Sequence, residues 1–199
     1  MSVTPLYLLG ALAMLALLAR AATACGTTLA PPLAADAAAG TDSSTVSDGG
    51  TPTGFGVNEV SGKGEEWVEI FNGGPTVVDV SGFRVVEGSK DDAGGPKSGG
   101  FAFPPNTTLP PGTYVVVMGV GEGGVPCVAP AGTPCFQASF SISNTSGETM
   151  YFIAPDGGAI DKVEYPANVV QSGRSWGRIP NGTGGFQVTT KTPGAPNKP

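Results

Sequence analysis

The apolar residues of this chain come in short runs, each closed by glycine, proline, asparagine or serine, and this pattern favours strands over helices. Eight runs have the length and the β-branched or aromatic content typical of strands. They are Val57–Ser61, Glu66–Phe71, Phe83–Glu87, Tyr114–Met118, Gln137–Ile142, Met150–Ala154, Ala159–Tyr165 and Ser175–Ile179. No segment offers a convincing amphipathic helix. The pattern predicts an all-β sandwich over residues 55–199.

The composition excludes several classes of protein. The chain contains no histidine, which removes Ser-His-Asp and Cys-His catalysis and histidine-ligated zinc or haem. Its net charge of −6 disfavours a general nucleic-acid binder, because phosphate contacts need clustered lysine and arginine. We therefore predict no catalytic residues, no metal site and no cofactor.

The first residues are typical of an export signal. The uncharged apolar run Leu6–Ala19 is too short to span a membrane and suits the hydrophobic region of a secretory signal, which we place at residues 1–24. Small residues then precede Cys25, and this arrangement resembles the lipobox of bacterial lipoproteins. It departs from that pattern in having no lysine or arginine before the apolar run, and Ala22 where leucine is commonest. Lipidation of Cys25 is the favoured interpretation, and ordinary cleavage after Ala24 is the alternative.

Residues 25–54 have the composition of a spacer. They contain no aromatic residue, no lysine and no arginine, but three aspartates. Such a segment buries too little apolar surface to offset its ordering entropy, so we predict a disordered tether. The alternative is low complexity without a function. A lipid anchor and a tether together would hold the following domain away from a membrane.

Cys127 and Cys135 remain as an even pair once Cys25 is set aside. In an oxidising compartment outside the cytoplasm, two such neighbours predict a disulfide. Two reduced cysteines in a mobile loop are the alternative.

Several motifs, in order, resemble the lamin-tail domain, an immunoglobulin-like domain also found in bacterial exported proteins. They extend over most of residues 57–197: Val57–Val60, Glu66–Asn72, Val77–Phe83, Phe103–Gly112, Asn144–Tyr151, Asp156–Val163, Ser175–Gly182 and Thr192–Asn197. The resemblance implies an immunoglobulin-like β-sandwich. Independently of it, the size of Trp67, Phe71, Phe83 and Trp176 suits them to filling the space between two sheets.

Acidic residues within the predicted domain favour structural roles. Glu59, Glu69 and Asp79 lie in or beside strands, where we expect them to cap turns or to pair with Arg84 and Arg178. Asp91 and Asp92 lie in the longest irregular loop and form a candidate ligand loop for Ca²⁺. Two carboxylates are too few for a calcium site, so a solvated loop is the favoured interpretation.

These features predict a non-catalytic, lipid-anchored binding or structural module of the cell envelope. Its expected location is the outer membrane, its membrane contact is the lipid on Cys25, and its partner is an envelope protein or polymer. A surface module binding nucleic acid or another polymer is the alternative, since Arg174, Arg178, Lys191 and Lys198 cluster loosely near the C-terminus. A metal-dependent hydrolase that uses Asp91 and Asp92 is the least favoured reading.

Overall fold

A computed structural model describes residues 54–90, 94–120, 127 and 129–199 of the chain. The predicted signal peptide, Cys25 and nearly all of the predicted tether lie outside the described residues. Asp91 and Asp92 also lie outside them. No helix long and apolar enough to cross a membrane occurs in the part of the chain that the structure describes.

The described residues form twelve strands and no helix. The strands are β1 (Phe55–Lys63), β2 (Glu65–Asn72), β3 (Val78–Asp79), β4 (Arg84–Glu87), β5 (Phe101–Ala102), β6 (Thr108–Leu109), β7 (Thr113–Met118), β8 (Cys135–Gln137), β9 (Glu148–Ile153), β10 (Ala159–Tyr165), β11 (Arg174–Ile179) and β12 (Gly185–Thr190).

Two larger sheets contain most of these strands. A six-stranded sheet has the order β12-β11-β1-β2-β7-β8, and a four-stranded sheet has the order β10-β9-β4-β5. Strands β3 and β6 form a small separate pair. Strands β7 and β8 are parallel, and all the other pairs are antiparallel. The fold is an immunoglobulin-like β-sandwich, as the sequence predicted.

The main hydrophobic core lies between the two larger sheets. The six-stranded sheet contributes alternate residues such as Val60 and Val68, because successive side chains of a strand point to opposite faces. The four-stranded sheet contributes Phe152, whose ring lies 5.4 Å from those of Phe55 and Phe83. The aromatic residues near the start of β1 and β4 therefore join the two sheets.

A second, smaller apolar cluster covers the opposite face of the six-stranded sheet, which we call the outer face. Trp67, Val116 and Met118 pack there beneath Cys127 and Cys135. These two cysteines form the predicted disulfide, with their Cα atoms 5.8 Å apart. The prediction that Trp67 and Phe71 fill the space between the sheets is wrong, because their positions in β2 direct both rings to the outer face, where Phe71 stacks on Tyr114.

Most of the predicted strands are present, but Gln137–Ile142 is not one of them. Strand β8 ends at Gln137, and the backbone N–H groups at the far end of the predicted run bind side chains. The Ser141 N–H donates to the Glu87 carboxylate at 2.9 Å, and the Ile142 N–H donates to that of Glu66 at 2.7 Å. Side-chain oxygens therefore replace a neighbouring strand at these positions.

Candidate functional site

Two buried carboxylates lie side by side on the outer face of the six-stranded sheet. Glu59 of β1 is directly opposite Glu69 of β2 in the antiparallel register. Neither residue is exposed to solvent at all. Because buried carboxylates need hydrogen-bond donors, and like charges directly opposite repel, this pair must be held by its surroundings.

The partners of Glu59 come from β11 and from residues 192–197, which we call the C-terminal segment. The Ser175 hydroxyl donates to Oε1 of Glu59. The Thr192 N–H donates to the same oxygen at 3.1 Å, and the Thr192 hydroxyl donates to Oε2 at 2.9 Å. Glu59 thereby joins the beginning of the domain to its last residues.

Glu69 is satisfied in the same way by two donors. The side-chain amide of Asn58 donates to Oε1 at 2.9 Å, and the Gly194 N–H donates to Oε2 at 2.6 Å. Asn58 occupies the irregularity in the β1–β2 register between Val57 and Glu59. This extra residue lets Asn58 and Glu59, although neighbours in sequence, both reach groups on the outer face.

Asn197 anchors the far end of the C-terminal segment. Its side-chain amide donates to the carbonyls of Asn58 at 3.0 Å and Arg178 at 2.9 Å. Its backbone N–H donates to Oδ1 of Asn181 at 2.9 Å. Gly194 lies in the middle of the segment, close to Thr133 of the loop that the Cys127–Cys135 disulfide closes, which we call the disulfide loop. A Cβ atom at Gly194 would clash with the Thr133 hydroxyl. The segment is thus fixed at both ends and packed at its centre.

Burial dominates the electrostatics of the two glutamates. Loss of hydration raises the pKa of Glu59, and the hydrogen bonds from Ser175 and Thr192 only partly offset that rise. The pKa of Glu69 is raised further, because Glu69 is more deeply buried and feels the charge of Glu59. The protonated form of each carboxyl is therefore favoured relative to a carboxyl in water.

The two glutamates hold parts of the chain itself together. All four carboxylate oxygens accept hydrogen bonds from the chain itself, so none is directed at an open cleft. Within the described residues, every buried side-chain nitrogen or oxygen has a hydrogen-bond partner. The same residues contain no group of three or more acidic or cysteine side chains placed to hold a metal.

An open groove of about 550 Å³ lies elsewhere, beside the start of β9 and the end of β10. Lys90, Glu148 and Glu164 contribute its charged side chains. Burial raises the pKa of Glu148. Its described lining residues include no cysteine, and no histidine lies beside its serines, because the chain contains none.

The predicted roles of the acidic residues are only partly confirmed. Asp79 caps a turn, since its Oδ1 accepts the Ser81 N–H at 2.9 Å. The predicted pairing with Arg178 and Arg84 is wrong. Arg178 forms its ion pair with Asp161 at 3.1 Å, and Arg84 donates to the Gly99 carbonyl at 2.9 Å.

The basic residues near the C-terminus are largely engaged by the domain itself. Arg178 also donates to the Val57 carbonyl at 2.9 Å, and its guanidinium lies 4.3 Å from the centre of the Phe186 ring. The Lys191 ammonium donates to the Lys63 carbonyl at 2.8 Å. These cations are held within the fold, which weakens the alternative of a phosphate-binding surface.

The sequence did not indicate that Asn58, Ser175 and Asn197 are partners in one site. The available signal was the terminal motif Thr192-Pro-Gly-Ala-Pro-Asn197, which resembled a family feature but gave no contact. Its glycine and first proline suit the turn at Thr192–Ala195, where the Ala195 N–H donates to the Thr192 carbonyl at 2.9 Å.

A β-sandwich of this strand order, with buried acids that hold its own C-terminal segment, is an immunoglobulin-like domain. The sequence profile described as Lamin Tail Domain matches residues 46–167, which is more than half of the chain. The chain therefore belongs to the lamin tail domain family, whose members are non-enzymatic and immunoglobulin-like. A comparison with curated proteins gave no match.

Proposed function

We propose that this protein is a non-catalytic, lipid-anchored module of the cell envelope with a binding or structural role. One observation carries the proposal: all four oxygens of the buried carboxylates Glu59 and Glu69 accept hydrogen bonds from the chain itself, and three of these five hydrogen bonds hold the C-terminal segment on the sheet. Acids committed in this way stabilise a scaffold, and neither is free to serve a substrate as a general acid or base. Recognition would then fall to exposed loops and strand edges.

The anchoring part of the proposal is supported by the sequence before the domain. The apolar run Leu6–Ala19 and the small residues before Cys25 suit export followed by lipidation of that cysteine. Gly26 follows Cys25 in place of the aspartate that favours inner-membrane retention in enteric bacteria, so we propose the outer membrane as the location.

Labelling with radioactive palmitate in a bacterial host tests the anchor. The full chain is expected to incorporate label and to sediment with membranes, whereas the Cys25→Ala variant is expected to lose both properties. The double variant Cys127→Ala/Cys135→Ala is the matched control, because it removes two cysteines and keeps Cys25. An unlabelled wild-type chain, or label that persists in Cys25→Ala, contradicts lipidation at this residue.

The envelope role is tested by chemical crosslinking of the full chain in living cells. A binding or structural module is expected to give discrete adducts with envelope components, and Cys25→Ala, released from the membrane, is expected to lose them. A wild-type chain that forms no adduct at several crosslinker lengths contradicts the binding role without bearing on the anchor.

A further inference from the structure

Four strands lie at the edges of the two larger sheets in the described part of the chain, and three of them are poorly suited to pairing with another strand. Strands β5 and β8 have only two and three residues. Strand β10 carries Asp161, Lys162 and Glu164 and has an irregular register near its start. Short length, charge and bulges are the features by which proteins protect sheet edges.

Strand β12 has none of these protections. Its six residues, Gly185 to Thr190 (GFQVTT), include no charge and no proline. It pairs with β11 through six consecutive residues without a register shift. Val188, on this strand, is 36% exposed. β12 is therefore a regular, neutral strand, and among the described residues only Lys198 pairs with its backbone on the side away from β11.

The backbone direction shows which groups of β12 are open. The Thr190 N–H donates at 2.8 Å to the carbonyl of Lys198, which lies on the side away from β11. Because backbone groups alternate in direction along a strand, those of Phe186 and Val188 also point away from β11. The bridge to Lys198 shows that one outward backbone group of this edge already pairs with another part of the chain.

The open part of the edge has two definite ends. Lys198 occupies the position beside Thr190. At the other end, the Gly184 N–H donates to the Pro180 carbonyl at 2.7 Å, where the chain turns back towards β11. Residues 185–189 therefore form an open edge that can accept a strand of about five residues.

We propose that a second copy of the chain occupies this edge, with β12 pairing antiparallel to β12 about a two-fold axis at Gln187. In this register Phe186 lies opposite the partner's Val188, and their outward N–H and C=O groups form hydrogen bonds in both directions. Gln187 lies opposite the partner's Gln187. The two six-stranded sheets then continue into one.

A second copy fits the limits of the edge on both sides. In this register the partner's Gly184 would lie opposite Thr190, where Lys198 is already paired. The partner's chain turns away at its own Gly184, so it does not occupy the place of Lys198. The pairing is isologous, as closed dimers require. The chain has a net charge of −6, but β12 itself contains no charged residue. No like charges therefore lie directly opposite each other in the paired strands. Phe186 and Val188 of both copies share one face, so each exposed Val188 lies beside the partner's half-buried Phe186.

Charge substitution at the axis tests the proposal on the full chain, kept in nonionic detergent to cover Leu6–Ala19. A single strand pair makes a small interface, so we expect wild type to dimerise at about 100 µM in sedimentation. Gln187→Lys and Gln187→Glu should each weaken the dimer by about five-fold, because like charges then lie opposite each other. An equimolar mixture of the two variants should restore it.

A cysteine substitution tests the register independently. In a Cys25→Ser background, Gln187→Cys is expected to give a covalent dimer on mild oxidation, because its two copies face each other at the axis. Gly185→Cys is the matched control: it lies on the same exposed edge but opposite the partner's Thr189, so it should not form one.

The outcomes are decisive in both experiments. A wild-type chain that stays monomeric overturns the proposal, even if the edge captures a foreign peptide. A dimer that resists both charge variants, or an equal yield of crosslinks from Gln187→Cys and Gly185→Cys, also overturns it. Circular dichroism on every variant checks that the fold is intact.

Discussion

Glu59 and Glu69 illustrate how a strongly polar residue can be part of a buried sheet face. Each is placed by strand alternation on the outer face, and each is made tolerable there by donors from distant parts of the chain. The sequence predicted that such acids need partners, and it named the wrong ones. Arginines are the obvious partners for a carboxylate in a sequence, whereas the actual donors are a serine, a threonine, an asparagine and a glycine N–H.

The raised pKa of Glu69 predicts that stability falls as the pH rises. A carboxyl with a higher pKa in the folded than in the unfolded state contributes stability that is complete below the unfolded value, near 4.5, and is lost as the pH rises through the folded value. Glu69→Gln should therefore reduce the downward slope of unfolding free energy against pH, by up to about 1.4 kcal/mol per pH unit. Urea unfolding between pH 4.5 and 8 measures it.

The control for this prediction is Glu164→Gln, whose side chain is 75% exposed beside Lys162. The reduction in slope should be larger for Glu69→Gln than for Glu164→Gln. Equal slopes for wild type and Glu69→Gln would show that Glu69 does not titrate differently in the two states.

Gly194 offers a second test at the scale of one residue. Its φ of +77° disfavours any side chain, and a Cβ would come within 2.4 Å of the Thr133 hydroxyl. Gly173 has a similar φ of +79° with nothing within 4 Å of a Cβ. We expect Gly173→Ala to reduce the unfolding free energy by about 1–2 kcal/mol through backbone strain alone.

Gly194→Ala should exceed that loss by about 1–3 kcal/mol, because the added methyl group overpacks the contact with the disulfide loop. Thermal and urea unfolding of the two variants give the comparison. Equal reductions in unfolding free energy for the two variants would mean that the C-terminal segment moves away from Thr133 without further loss of stability.

At the scale of elements, the sequence predicted what local patterns can show. The runs around Trp67 and Tyr114 are apolar and bounded by turn residues, and both became strands of the six-stranded sheet. Strand β12 was missed because Gln187, Thr189 and Thr190 give it a weak apolar pattern, and its place is set by pairing with β11. The prediction of a strand at Gln137–Ile142 was wrong for the converse reason. Its apolar pattern suits a strand, but the carboxylates of Glu66 and Glu87 bind its backbone N–H groups.

The disulfide loop is the element with the clearest separate contribution. Cys127 and Cys135 close a short loop over Trp67. The double variant Cys127→Ala/Cys135→Ala should reduce the unfolding free energy by roughly 2–3 kcal/mol, the chain entropy that so short a loop removes. Urea unfolding with and without a reducing agent measures it.

Reduction of the wild type should give the same loss, while Cys25→Ala should leave stability unchanged under both conditions. A reducing agent that has no effect on wild-type unfolding would contradict the stabilising role.

At the scale of the whole molecule, the C-terminal segment determines whether the outer face is closed. Deletion of residues 192–199 removes three hydrogen bonds to Glu59 and Glu69 and exposes both carboxylates. The loss of a whole buried polar network is among the most destabilising changes known, so we expect the unfolding free energy to fall by about 4 kcal/mol or more.

Deletion of Lys198 and Pro199 alone is the control, since it keeps Thr192, Gly194 and Asn197 and removes only the bridge to Thr190. It should change the unfolding free energy by less than about 1 kcal/mol. Comparable losses in the two deletions would place the contribution in the bridge and not in the segment.

The central position of β1 also has a consequence for when the domain can fold. β1 is synthesised before the other strands, yet its two neighbours in the sheet are β2 and β11. Glu59 of β1 also accepts a hydrogen bond from Thr192, which lies 133 residues later in the chain. The six-stranded sheet is therefore incomplete until β11 and β12 have been synthesised. Long-range pairing of this kind slows folding. A nascent chain that stops short of Thr192 leaves Glu59 without two of its hydrogen-bond donors, so the domain forms its buried polar network only late in synthesis.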